Sequence, residues 1–138
     1  MKIEIEAPGD LAYKELNGRL VAHNRDHSTW RRETFTVTAL TADRLLAGGV
    51  RGIVNMGLVE VRGLWVDPGH RGSGLGGRLM NALEEYAIGA GARRAALDTY
   101  EWQARGFYEA RGYRVYGTLA YPDGPERYFM AKDLSSAA

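Results

Sequence analysis

Leu64-Trp65-Val66-Asp67-Pro68-Gly69-His70-Arg71-Gly72-Ser73-Gly74-Leu75-Gly76-Gly77 joins an apolar, strand-like run to a turn and then to Arg-x-x-Gly-x-Gly opening a helical pattern. The stretch reads as a cradle for a diphosphate. The first turn of a helix leaves backbone N–H groups without intrahelical partners, and the helix dipole places partial positive charge there. Gly72, Gly74 and Gly76 carry no Cβ to block an approaching phosphate, and Arg71 supplies a charge-assisted, bidentate donor. A glycine inside a helix costs about 0.5–1 kcal/mol relative to alanine, so a cluster of them asks for a reason. The competing reading is a flexible surface loop ahead of an ordinary helix.

The rest of the chain bounds what such a cradle can serve. Its 138 residues suit one domain, 1–138, with one site. Hydrophobic residues at 45% and charged residues at 25% are ordinary for a globular protein. With 18 basic and 17 acidic side chains the net charge is +1, which gives no general attraction to nucleic acid or to an acidic membrane surface. Anion recognition must therefore be local. The absence of cysteine removes thiolate nucleophiles, disulfides and thiolate metal sites together. Residues 1–6 alternate apolar and charged side chains, unlike a signal peptide, and no apolar run is long enough to cross a bilayer. A soluble cytoplasmic protein is the expectation.

Along the chain, residues 2–6 read as a short strand and residues 11–23 as a helix placing Leu11, Leu16 and Leu20 at loosely helical spacing. Residues 34–40 alternate with period two and are rich in β-branched side chains. Residues 45–54 and Leu58–Val66 follow as strands around Asn55-Met56-Gly57, completing an antiparallel meander. An amphipathic helix then runs from Leu75 through Leu79, Leu83 and Ala87 to a stop near Gly89 and Gly91. Residues 95–97 are a strand, residues 103–111 a short helix stopped by Gly112, and residues 113–119 and 127–131 closing strands around Tyr121-Pro122-Asp123-Gly124-Pro125. Residues 135–138 read as a frayed tail.

Leu64-x-Val66-x-Pro68-x-x-Arg71-x-x-Gly74-x-Gly76 resembles the signature of the GNAT superfamily of acyl-CoA-dependent N-acyltransferases. A second, independent match is Thr99-x-x-x-Gln103-Ala104-x-x-Phe107-Tyr108-x-x-x-Gly112-Tyr113, similar to the family's segment in which a helix carries a tyrosine and ends in Gly-aromatic. The resemblance covers residues 35–132 and touches residues 1–33 only in outline. It implies an α+β fold, a single domain with a mixed, mostly antiparallel sheet splayed at its middle and flanked by helices. Acetyl-CoA, the cosubstrate, would lie in the V-shaped gap with its diphosphate on Arg71, Gly72, Ser73, Gly74, Leu75 and Gly76. Its pantetheine arm would pair with the backbone of Leu64, Trp65 and Val66 as an added strand. Homodimerisation is also implied, by family analogy.

Acyl transfer to an amine needs a deprotonated nucleophile, a stabilised oxyanion and a protonated leaving thiolate. An alkylamine with a pKa of about 10.4 is depleted roughly a thousandfold in its neutral form at pH 7. Glu60, eleven positions before Arg71, matches where some GNAT enzymes carry a base, and its bland reading is a solvated strand residue paired with Arg62. Tyr108 is the candidate acid for the departing thiolate, against a packing role beside Phe107. The backbone N–H of Val66 is the candidate oxyanion donor. His70 is a weaker base candidate inside the phosphate turn. Trp30, Trp65 and Trp102 are candidates to line an acceptor pocket, and Asp98 or Glu101 to attract an amine cation. His23, His27 and His70 show no metal-ligand spacing, so no metal is expected.

Three rivals remain. Gly72-x-Gly74-x-x-Gly77 satisfies a dinucleotide fingerprint, yet residues 67–71 separate it from its strand and the upstream meander does not suit a doubly wound sheet. A nucleoside triphosphatase loop would end in Gly-Lys-Ser/Thr, which is absent. A noncatalytic acyl-CoA sensor on the same fold has the same signature. The expectation is direct acetyl transfer from acetyl-CoA to an unidentified primary amine in a ternary complex, with no nucleic acid or membrane partner.

Overall fold

The structure is a computed structural model that describes residues 1–6 and 11–134. The tail at residues 135–138 lies outside them. Met1–Arg31 forms one compact unit and the chain from Arg32 onward another. The first unit holds α1 (Leu11–His27), which runs four residues beyond its expected end. Residues 1–6 form no strand. Their alternation lacks a partner strand, and Glu6 instead accepts hydrogen bonds from the N–H groups of Leu11 (3.2 Å) and Ala12 (3.1 Å), satisfying donors that open α1. Among the described residues no helix is long and apolar enough to cross a membrane.

The second unit contains β1 (Glu33–Leu40), β2 (Leu46–Asn55), β3 (Leu58–Val66), α2 (Leu75–Gly89), β4 (Arg94–Tyr100), α3 (Arg105–Ala110), β5 (Arg114–Ala120) and β6 (Glu126–Asp133). The six strands form one sheet in the order β1-β2-β3-β4-β6-β5. β3 and β4 are parallel and every other pair is antiparallel. The parallel pair is the crossover made by α2, whose Leu79, Met80, Leu83 and Ala87 are buried against Val50, Val54, Val59, Val61, Ala95 and Met130. Burial of side chains of this size stabilises by about 1.5–3 kcal/mol each, which ties the helix to the sheet across both halves.

Two features of this sheet create the site. The β3–β4 ladder consists of Leu58↔Arg94, Val59↔Ala95 and Glu60↔Ala96 and then ends, although both strands continue. Beyond Glu60 and Ala96 the strands part, giving the splay expected from the resemblance. The second feature is a bulge: Val50 faces Leu64 and Arg51 faces Arg62, leaving Gly63 unpaired at φ +79°. The extra residue reverses the alternation of faces. Val59 and Val61 point to the α2 side, and so do Leu64 and Val66, while Glu60, Arg62 and Trp65 take the opposite face. A strict period of two would have put Trp65 in the core.

Candidate active site

The gap between β3 and β4 is a cavity of about 440 Å³. One wall is Val61, Arg62, Gly63 and Leu64, and the other is Leu97, Asp98, Thr99 and Tyr100, with Gln103, Ala104, Tyr108 and Arg127 completing it. Gln103 Oε1 accepts from Thr99 Oγ1 (3.2 Å) and from the Tyr100 N–H (2.9 Å), fixing the turn between β4 and α3. α3 then presents Tyr108, which is buried in the core and reaches the cavity. Its ring meets Phe107 and Tyr113 edge-on. No described residue bonds its hydroxyl, and burial pushes the phenol above its ordinary pKa, so it is held protonated.

From the cavity wall, β3 runs straight into the glycine-rich loop. The Asp67 N–H donates to Ala47 O (2.8 Å), and strand alternation then turns the peptide groups of Val66 and Leu64 away from β2, toward the gap β4 has left. Asp67 Oδ2 accepts from the Gly69 N–H (3.0 Å), capping a short 3-10 turn, Pro68–His70. Arg71 Nε donates to Val66 O (2.9 Å), and Ser73 Oγ donates to His70 O (2.6 Å). The loop is thus braced by its own side chains, and Arg71, expected to give a phosphate a bidentate hydrogen bond, also commits its Nε donor to the end of β3.

α2 begins without a side-chain cap. Gly74 is its N-cap at φ +82°, and the first bond of the helix is from the Arg78 N–H to Gly74 O (3.1 Å). The N–H groups of Leu75, Gly76 and Gly77 precede that bond and are the orphans of the first turn. A Cβ built at Gly72 or Gly74 would meet nothing within 4 Å, so the loop is open where an anion would arrive. Gly76 has another basis: it is helical, and its Cβ position lies 3.5 Å from Phe107 Cζ, where α2 meets α3.

The expected catalytic pair is divided by the sheet. Tyr108 lines the cavity from the α2 side. Glu60 sits at the vertex where the strands part, on the opposite face, exposed and bound to Arg62 Nη1 (3.3 Å), and it is not among the cavity-lining residues. Leu64 lines the cavity, whereas Trp65 projects from the other face and Val66 lies beyond it. His70 and Ser73 border a second groove, of about 480 Å³, on the β1 side of α2. Trp102 is exposed and does not line the cavity, but stacks at 4.6 Å on Tyr100, which does. Trp30 lies in the N-terminal unit.

Asp98, a candidate from the sequence, has a partner on a distant strand. Arg127 Nε donates to Asp98 Oδ2 (2.9 Å), a diagonal pair across β4 and β6. That bond raises the already high pKa of the guanidinium. Arg127 also lies over the rings of Phe129 (4.8 Å) and Tyr100 (5.8 Å) and reaches Tyr121 Oη at 3.5 Å. Tyr121 and Tyr100 share a hydrogen bond of 3.1 Å that raises the Tyr100 pKa, while the same bond and Arg127 lower that of Tyr121. Behind the cavity, Glu84 is buried and accepts from Lys132 Nζ (2.8 Å) and Tyr113 Oη (3.0 Å), with Arg111 Nη2 at 3.8 Å. Burial, then the Glu84 charge, pushes Tyr113 far above the ordinary phenol range.

Known proteins share this fold. The acetyltransferase (GNAT) family profile matches residues 7–113. A blasticidin-S acetyltransferase of Streptomyces morookaense is 39% identical over 95 residues, 64% of this chain and 67% of that protein. The crystal structure of an acetyltransferase from Bacillus cereus superposes with a TM-score of 0.83 at 26% identity, over 95% of this chain and 97% of that one. An aminoglycoside 6'-N-acetyltransferase complexed with coenzyme A shares the fold, with a TM-score of 0.68 at 20% identity over 94% and 83% of the two chains. With the splayed sheet and the uncapped helix after β3, these matches place the chain in the GNAT family of acetyl-CoA-dependent N-acetyltransferases.

Proposed function

We propose that this enzyme transfers the acetyl group of acetyl-CoA directly to a primary amine bound with it in a ternary complex, residues 1–138 acting as one acyltransferase domain. The observation that carries this reading is the parting of β3 and β4 after Glu60 and Ala96, which turns β3 peptide groups toward a cavity also lined by the buried Tyr108, whose hydroxyl has no partner among the described residues.

Pantetheine pairs as an added strand along the β3 edge from Leu64 to Val66, through the peptide groups of Leu64 and Val66 that face the gap while those of Trp65 face β2, and the diphosphate rests on residues 71–76 against the orphan N–H groups of α2. The amine nitrogen attacks the thioester carbon. The developing oxyanion takes the Val66 N–H, a type of donor that contributes on the order of 3 kcal/mol. As the carbon–sulfur bond breaks, Tyr108 gives its proton to the thiolate, a role supported by the raised phenol pKa. The amine's excess proton leaves through Glu60 by way of water, and Tyr108 is reprotonated from solvent. The test is CoA thiol release against a panel of amines that begins with blasticidin-S, named in the relative. Release above the rate of thioester hydrolysis with at least one amine supports the reading, and acetyl-CoA binding with hydrolysis alone across the panel counts against it.

A further inference from the structure

The charged groups around the cavity narrow the class of acceptor. On the face opposite α2, two guanidiniums stand on the two sides of the splay: Arg62 on β3 and Arg127 on β6, reaching past Asp98 on β4. Arg62, Arg127 and Asp98 are the charged residues of the lining, so its formal charge is positive. Glu60 faces Arg62 from just outside it.

Each acidic group is already engaged, Asp98 with Arg127 and Glu60 with Arg62. The arginines are not used up. Arg62 spends one bond on Glu60, and Arg127 spends Nε on Asp98 and Nη1 on Tyr121. A guanidinium carries more donors than these bonds use. Among the described residues the remaining N–H groups have no protein acceptor. Arg127 also lies over Phe129 and Tyr100, is bonded to Asp98 and is about two-thirds shielded from solvent, so its fork is set before a ligand arrives.

A second cationic group on the acceptor would meet two guanidiniums and only carboxylates already neutralised. An acidic group would meet free, oriented donors. We propose that the preferred acceptor is an amine bearing a carboxylate, which Arg127 and Arg62 receive while the amine reaches the thioester. This inference rests on the acetyltransferase reading and names the substrate class of the same site.

The test uses glycine and β-alanine, each with its amide, and ethylenediamine as the dicationic counterpart. Binding is read from tryptophan fluorescence with CoA saturating, since Trp102 stacks on the cavity residue Tyr100. Turnover is read separately as CoA release from acetyl-CoA. The expected result is that an acid binds and reacts at concentrations at least about tenfold below its amide and the diamine. Arg127→Gln and Arg62→Gln should each shrink that ratio through KM, with acetyl-CoA affinity retained; the exposed Arg62 keeps the test valid if Arg127→Gln folds poorly. An amide or the diamine matching the acids overturns the inference, as does acetyl-CoA binding with no acid bound. Failure of the wild-type protein to bind acetyl-CoA overturns the donor reading instead.

Discussion

Alanine at Gly74 and alanine at Gly76 should move stability in opposite directions, although the two glycines sit in one motif. Gly74 is held at φ +82°, where an L-residue costs about 1–2 kcal/mol. Alanine also lowers the entropy of the unfolded chain, returning about 0.4–1 kcal/mol. Its Cβ would meet no protein atom within 4 Å, so no clash adds to the balance, which comes to about 0.5–1 kcal/mol destabilising. Gly76 is inside α2, and its Cβ would touch Phe107 and Val66 at 3.5–3.8 Å, an ordinary contact. There alanine should stabilise by about 0.5–1 kcal/mol. For a chain of 138 residues that separation of about 1–2 kcal/mol is about 3–7 °C in Tm, readable by circular dichroism. Acetyl-CoA affinity, titrated in the same samples, should fall for Gly74→Ala, because the left-handed N-cap sets where the first N–H groups point. Equal or same-signed shifts would refute the claim that Gly74 is a conformational requirement and Gly76 a packing one.

Other outcomes follow from the same geometry. Tyr108→Phe should lower kcat by about 10²-fold with Tm almost unchanged, because the lost hydroxyl has no partner among the described residues; wild-type turnover would return Tyr108 to packing. Glu84→Gln should cost about 3 kcal/mol in denaturant unfolding, since it leaves Lys132 and Arg111 around a neutral amide; a loss under about 1 kcal/mol would mean that the cluster is well solvated. Tyr113 and Tyr108 have folded pKa values above their unfolded value of about 10, so their stabilisation is complete below that pH and is lost as pH rises through and beyond it. The slope of stability against pH above about 10 should therefore be shallower in Tyr113→Phe, and an unchanged slope would remove Tyr113 from the account.

How much of this was visible in the chain depends on the distance over which each feature is encoded. α2 was legible because Leu79, Leu83 and Ala87 repeat at helical spacing before Gly89, β1 because residues 34–40 alternate with period two, and β2 and β3 because their apolar runs flank the turn at Asn55-Met56-Gly57. Residues 2–6 alternate as well as those strands do, but alternation requires a neighbour, and no strand forms there. The bulge at Gly63 was marked only by that isolated glycine inside a strand pattern, a signal that does not by itself say where the register shifts, yet it decides that Leu64 packs inward while Trp65 does not. Arg71 was legible as a cation beside the loop, whereas its bond to Val66 O depends on how the turn folds back. The Asp98–Arg127 pair spans 29 positions and required the β4–β6 register, which no local pattern carries. The location of Glu60 at the vertex likewise follows from where the parallel ladder stops.

The loop from Arg71 to Gly76 and the splay behind it are, on this reading, built for acetyl-CoA. Calorimetric titration of the wild-type protein with acetyl-CoA, NAD and ATP, repeated with Arg71→Ala, tests it most directly. Acetyl-CoA should bind saturably and in preference to both nucleotides, weakened about 10–100-fold by Arg71→Ala through loss of a charge-assisted hydrogen bond. Tighter binding of NAD or ATP than of acetyl-CoA, or an acetyl-CoA affinity unchanged in Arg71→Ala, would contradict that reading.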